Sequence, residues 1–371
     1  MRIGVNARRL TGQPLGVARY IEYLLKYWSV QTEPDEQIVL LSPHALELNG
    51  LDQTRIETRV LPSRLGGVGW ENAVLPRHAR DLDVLFGPGY TLPLARRKRS
   101  VVAIHSMNEV EAGTHSWTYG LTYAPLYRMS ARQADRVIVP SRSTLDDIKA
   151  HYGIPDEKLV VVPQGADDAF ARVHDEAAVR AAHRKWLGDD RPFILFVGKL
   201  SQRRNIPTLI RAFARLKRET GVPHALLFMG PNHLQLPLRE VAEAAGVGGD
   251  VVQTDGKVSS HAELAAVYTA ADMYVNASLY EGFSLTLVEA LACGTPVVAA
   301  NRGALGEIAG DAALLVDEPT EEALANAMAR VLDDSSLRDE LRRRGPERAR
   351  AFRWEETARQ TLDVLREVGH P

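Results

Sequence analysis

Short runs of apolar and β-branched residues recur along this chain, separated by longer stretches of helical periodicity. The first series is Arg2–Asn6, Ile38–Leu41, Val84–Phe86, Val101–Ile104, Val137–Pro140 and Leu159–Val162. The second is Phe193–Val197, Ala225–Met229, Val251–Gln253, Met273–Asn276 and Val297–Ala300. Strands that alternate with helices build βαβ units and therefore parallel sheets, so the fold class is α/β. The stretch Pro163–Asp190 interrupts the series and is rich in charge. A chain of 371 residues has room for two domains of ordinary size. The reading is two doubly wound, Rossmann-like halves facing across a cleft, residues 1–168 and 169–350, followed by a terminal helix in 351–371. Ligands in such sheets sit at the carboxyl ends of the strands, near the point where strand order reverses. Gly165, in the link Gln164–Asp168, could absorb a hinge rotation.

Composition removes several other classes. Lys and Arg total 45 and Asp and Glu 47, a net charge of −2 that argues against a nucleic-acid binder. Cys293 is the single cysteine, which excludes an internal disulfide framework and a cysteine-built zinc site and suits a cytoplasmic setting. The apolar runs fall far short of the roughly 20 residues of a spanning helix, and no signal-peptide core follows Met1. The basic run Arg96-Arg-Lys-Arg99 reads as a surface loop, with peripheral attraction to anionic lipid at the inner face of a membrane as its functional alternative. Asp81-Leu-Asp83 has the D-x-D pattern that can hold a divalent ion, but it falls at a helix end and loop, and no essential metal is expected. The 11 histidines show no ligand spacing.

The most informative segment runs from Ser278 to Pro296. Ser284 is placed to cap a helix reaching about Ala292, with Gly294 and Pro296 as its stop. Glu281 lies in the loop before that helix. Glu289 lies inside it between Val288 and Ala290, where a carboxylate is costly to bury without partners. The backbone N–H groups of Gly282, Phe283 and Ser284 open the helix and favour an anion there. A carboxylate beside an anion site is suited to hydroxyls rather than to phosphate. The plain alternative is a capped helix with an exposed Glu289.

Cations follow another strand. Lys199, Arg203 and Arg204 lie between Gly198 and Asn205, which is placed to cap a helix carrying Leu209, Ile210, Phe213 and Leu216. Basic groups at the carboxyl end of a parallel strand can meet phosphate, and arginine offers a planar fork for it. A solvated charge run is the alternative. In the first half, Gly12-Gln-Pro-Leu-Gly16 follows the first strand, and glycine there lets a ligand approach the backbone. His105 closes Val101–Ile104 at a strand end, as a site residue or as a structural histidine.

The spacing Glu281-x7-Glu289, within Tyr280-Glu-Gly-Phe-Ser284 and Ala292-Cys-Gly-Thr-Pro-Val-Val-Ala299, resembles the signature of the retaining GT-B glycosyltransferases of family 4. The likeness continues through Gly4–Arg8, Gly16–Tyr20, Val102–His105, Ala134–Ser141, Val161–Gly165, Phe196–Asn205 and Phe352–Glu355. It implies a nucleotide-sugar donor bound by the C-terminal domain, an acceptor side in the N-terminal domain, and a last helix that crosses back. The acceptor would be a glycan, a lipid-linked sugar or a small molecule. The donor is a substrate, and no cofactor is implied. The catalytic group would be Glu281, His105 and Arg204. Donor contacts would come from Gly16, Lys199, Arg203, Arg204, Val258, Gly282, Phe283, Ser284 and Glu289. Glu289 would take the ribose hydroxyls, and the loops Gly230-Pro231 and Gly256–Ser259 would wall the base. The chain departs from relatives at Arg204, where they carry lysine, at Ala18, where many carry glycine, and at Ser106, where many carry aspartate. General resemblance to mannosyltransferases points to GDP-mannose, with a UDP-sugar as alternative donor. A nucleotide-sugar epimerase or hydrolase of similar fold and a silent binding module are the rival classes.

Overall fold

In the computed structural model, which describes residues 1–11, 16–95, 99–107 and 117–370, every strand of the two series recurs, shifted by at most two residues at its ends. The first unit contains the described residues up to Gly165 together with those from Trp354 onward, and the second contains Ala166–Arg353. The first is built on β1 (Arg2–Asn6), β2 (Gln37–Ser42), β3 (Ile56–Val60), β4 (Val84–Gly87), β5 (Arg99–Ala103), β6 (Arg136–Val139) and β7 (Leu159–Val161). They form one parallel sheet in the order β3-β2-β1-β4-β5-β6-β7. The second unit holds β8 (Phe193–Val197), β9 (Ala225–Met229), β10 (Val251–Thr254), β11 (Met273–Asn276), β12 (Val297–Ala300) and β13 (Leu314–Val316). Their order is β10-β9-β8-β11-β12-β13, again all parallel. Helices cover both faces of such a sheet, which is why β8 and β9 are apolar at every position and wholly buried.

Two strands were invisible in the sequence, and both are edges. β3 has only half-buried and exposed positions and carries Glu57 and Arg59, so it lacks a continuous apolar run. β13 has only three residues. Edge strands bury one flank only, and charge on them discourages pairing with other chains. Arg59 forks Asp81 at 2.9 and 2.7 Å, and Arg2 reaches the same carboxylate at 3.1 Å. Asp83 accepts the Arg2 amide at 2.7 Å. Both aspartates of the D-x-D pattern are therefore engaged near the amino end of the sheet, away from the carboxyl ends of the strands. Of the basic run, Arg96–Lys98 lies outside the described residues and Arg99 opens β5; Gly12–Leu15 also lies outside them.

The helix Trp354–Gly369 is an integral part of the first unit. Trp28 donates its indole N–H to the Ala358 carbonyl at 2.9 Å, and the Tyr23 and Trp354 rings stack at 4.7 Å. Arg366 forks the buried Glu36 at 2.8 Å on both arms. The two chain passages run side by side: Ala166 donates its amide to Phe352 at 3.1 Å, and the Thr357 hydroxyl donates to the Pro163 carbonyl at 2.7 Å.

Candidate active site

Strand order in the second sheet reverses between β8 and β11, and the loops that leave these two neighbours carry the predicted charged groups. The β8 loop ends in a 3-10 turn, Gln202–Arg204, and the β11 loop runs from Ala277 to Ser284. Leu279 donates its amide to the Arg203 carbonyl at 2.9 Å, which ties the loops together. Arg203 Nη1 reaches Glu281 Oε2 at 2.6 Å and the Tyr280 carbonyl at 2.7 Å. Arg204 Nη1 contacts Glu281 Oε1, and the Ser278 hydroxyl donates to the same oxygen at 3.1 Å. Glu281 is 6% exposed. Burial pushes its carboxyl up, but the two guanidiniums and Ser278 outweigh burial and hold it below the usual carboxylate range. Burial lowers the Arg204 guanidinium, against the opposing pull of Glu281. Arg204 Nε is buried with no hydrogen-bond partner among the described residues. The site thus stores two cations on one carboxylate, with a guanidinium edge unsatisfied.

Neither predicted cap acts through its side chain. Ser284 precedes the helix Leu285–Ala292 with φ 87°, and its hydroxyl accepts from Asn276 Nδ2 at 3.2 Å instead of from the helix. Asn205 precedes Ile206–Thr220 with φ 55° and donates to the Pro319 carbonyl at 3.2 Å. Non-glycine residues rarely take such backbone conformations, and they concentrate at functional sites. The Leu287 amide turns back to the Ser284 carbonyl at 3.2 Å, so without a capping side chain the amides of Leu285 and Thr286 keep their capacity for an anion. Gly282, Phe283 and Ser284 are all buried; the Phe283 ring packs edge-on against Phe352 at 5.6 Å, which leaves only its backbone for a ligand.

Glu289 is 1% exposed, which excludes the reading of a solvated carboxylate. The Tyr268 hydroxyl donates to its Oε2 at 3.1 Å. Burial, then the Glu289 charge, raises the Tyr268 phenol well above its ordinary value, so it stays a donor. The ends of β8, β9 and β10 pack backbone to backbone: a Cβ on Gly230 would stand 2.0 Å from the Gly198 carbonyl oxygen, and one on Gly256 2.8 Å from the Gly230 nitrogen. Val258 is half-buried, its amide turned back to the Gly256 carbonyl at 2.9 Å. Lys199 is exposed.

The first unit holds Gly16 and His105. Gly16 is exposed and opens the helix Gly16–Gln31, and among the described residues nothing stands within 4 Å of where a side chain would begin. His105 follows β5. Its Nε2 lies 2.7 Å from the Pro88 carbonyl, which can only accept, so Nε2 carries the proton. Nδ1 then accepts from the Gln164 amide at 2.9 Å. Desolvation lowers the imidazole to about 4, against the Pro88 hydrogen bond, so the ring is neutral at pH 7. Tyr20 meets it edge-on at 4.6 Å and Tyr90, with φ 73°, at 5.5 Å. Both ring nitrogens are thus committed to orienting bonds.

Sequence reasoning missed Tyr268, Asn276 and Ser278 as parts of the site. Ser278 and Asn276 could have been suspected from their place at a strand end just before Glu281. Tyr268 had no signal, since it reads as one more apolar position of its helix. Among the described residues, no group of three or more His, Cys, Asp or Glu side chains could hold a metal ion.

Residues 178–348 match the family described as glycosyl transferases group 1, and residues 15–170 match Glycosyltransferase Family 4. A D-inositol 3-phosphate glycosyltransferase from Rhodococcus erythropolis is 32% identical over 86% of this chain and 75% of its own. An MMP α-(1→4)-mannosyltransferase from Mycolicibacterium hassiacum is 32% identical over 69% of this chain and 61% of its own. The chain spans under two thirds of several curated relatives, 64% for the D-inositol 3-phosphate glycosyltransferase of a Nocardioides species. Among solved structures, Anabaena HepE in complex with UDP-glucose superposes with a TM-score of 0.78 at 18% identity, over 99% of this chain and 100% of that one.

Proposed function

Because this chain belongs to glycosyltransferase family 4, the retaining GT-B transferases, we propose that it moves a hexose from a nucleotide-sugar to an acceptor hydroxyl by front-face substitution. The observation that carries the reading is the meeting of Arg203, Arg204 and Glu281 at the strand-order reversal, beside a helix N-terminus without a side-chain cap. Residues 169–350 bind the donor. The arginines and the first-turn amides take the diphosphate and stabilise the charge that grows on it as the glycosidic bond breaks, the electrostatic assistance that dominates many enzymes. Lys199 adds an exposed cation. Glu281, freed from the arginines by the diphosphate, orients sugar hydroxyls and faces the positive charge at the anomeric carbon. The leaving diphosphate accepts the proton of the incoming hydroxyl. Glu289 takes the ribose hydroxyls, and the backbone around Gly230 and Val258 walls the base. Residues 1–168 serve the acceptor, with Gly16 and His105 on the sugar side.

The leading sugar is mannose, supported by the name of the mannosyltransferase relative, and GDP-mannose is the leading donor on that reading. A thermal-shift panel of nucleoside diphosphates tests the donor, since a ligand at 100 times its dissociation constant adds about 2.7 kcal/mol to the folded state. A GDP preference supports mannose, and a UDP preference overturns it. Product analysis with and without acceptor tests the reaction class: sugar appearing only on an acceptor is the expected result, and release or epimerisation of the donor alone would refute transfer.

A further inference from the structure

We propose that Tyr268 is a positioning residue for donor binding: its phenol fixes the carboxylate plane of Glu289 and so sets the site's preference for a ribose over a deoxyribose. The inference rests on the reading of Glu289 as the ribose acceptor. Glu289 sits on a helix whose neighbouring positions, Leu287, Val288, Ala290 and Leu291, are buried and apolar. A carboxylate there would swing to any available donor unless something held it. Tyr268 is itself fully buried, on the helix His261–Ala270, and two features pin it. Phe170 meets its ring edge-on at 6.1 Å and Tyr274 at 5.9 Å. Its carbonyl accepts the Thr295 hydroxyl at 2.7 Å.

The rest of the ring's surroundings are hydrophobic core. A phenylalanine would fill that space, and a hydroxyl buried in it is unfavourable unless it is hydrogen-bonded. The hydroxyl has two acceptors, Glu289 Oε2 at 3.1 Å and the Thr286 carbonyl at 3.3 Å. Both belong to the helix that opens at the proposed diphosphate site. One rigid donor therefore locates the carboxylate relative to that helix start. With Oε2 held, the direction of Oε1 is set, and a pair of adjacent hydroxyls is read at fixed geometry. A site built to bond a hydroxyl discriminates strongly against a ligand lacking it, and the discrimination depends on that geometry.

The test compares dissociation constants of UDP with 2′-deoxy-UDP and of GDP with 2′-deoxy-GDP, in the full chain, with the ratio as the readout. The wild type is expected to favour the ribose form at least tenfold, Glu289→Ala to lose the preference, and Tyr268→Phe to lose most of it, about the tenfold that a hydrogen bond to a charged group supports. The double variant should match Glu289→Ala, and in Tyr268→Phe the donor KM should rise more than kcat falls. Glu289→Asp keeps a carboxylate but withdraws it from the phenol by one methylene, so it should lose the preference even with Tyr268 intact. Full preference retained in Tyr268→Phe or in Glu289→Asp, with Glu289→Ala losing it, overturns the positioning role alone. Preference retained in Glu289→Ala overturns the ribose reading and the inference with it.

Discussion

Replacing Glu281 with glutamine should destabilise the unliganded protein and strengthen its grip on diphosphate. The carboxylate is 6% exposed and bridges two guanidiniums whose side chains are 19% and 13% exposed. At an effective dielectric of about 20, each such contact is worth about 4 kcal/mol of attraction before desolvation. Glutamine removes both attractions and leaves the repulsion between Arg203 and Arg204. Breaking a buried pair by deleting one partner costs about 3–5 kcal/mol, because the remaining charge is uncompensated. For a unit of this size that lowers the melting temperature by roughly 10 °C. Pyrophosphate supplies the missing negative charge, and in the variant it no longer competes with a carboxylate. Its affinity should rise about tenfold, or about 1.4 kcal/mol. Transfer should nonetheless fall steeply, since the group that orients the sugar is gone. Differential scanning fluorimetry with a pyrophosphate titration, beside a turnover assay, reads all three quantities. A variant that melts with the wild type, or binds pyrophosphate more weakly, would show that the arginines are not held in reserve by Glu281.

His105 is neutral in the folded state down to about pH 4, whereas the unfolded chain protonates it near 6.5. Its contribution to stability is complete above pH 6.5 and is lost as pH falls toward 4, with a slope of at most about 1.4 kcal/mol per pH unit. Urea unfolding at pH 4.5–7 should therefore show a shallower pH dependence in His105→Gln, and parallel curves would refute the neutral assignment. Gly303 has φ +54°, and a Cβ there would stand 2.4 Å from the Glu281 carbonyl oxygen. Gly303→Ala should cost more than about 1 kcal/mol and raise the donor KM by moving Glu281; a normal melting temperature with a normal KM would contradict this. Chelation with EDTA should leave transfer intact, because Arg203 and Arg204 meet the phosphate charge and Asp81 is taken by Arg59 and Arg2; strict Mn2+ dependence restored after EDTA would overturn that assignment.

Much of this protein follows from local pattern. Interior strands such as Phe193–Val197 are buried on both faces, so hydrophobic burial writes them into the chain as unbroken apolar runs. Glu281, Glu289, Arg203 and Arg204 were legible because a charged residue beside a strand end or inside an apolar helix is anomalous without a function. Tertiary structure decided what local pattern cannot express. β3 and β13 owe their strand character to one neighbour each, not to their own residues. Ser284 and Asn205 have capping chemistry, yet the partners brought to them by other loops, Asn276 and Pro319, outcompete the helix ends. The pairing of both arginines with Glu281 depends on β8 and β11 being neighbours, although 77 residues separate Arg204 from Glu281 along the chain. Tyr268 became part of the site only when packing set its hydroxyl against Glu289. Propensity acts over a few residues, whereas the energy of a buried charge depends on every group the fold gathers around it.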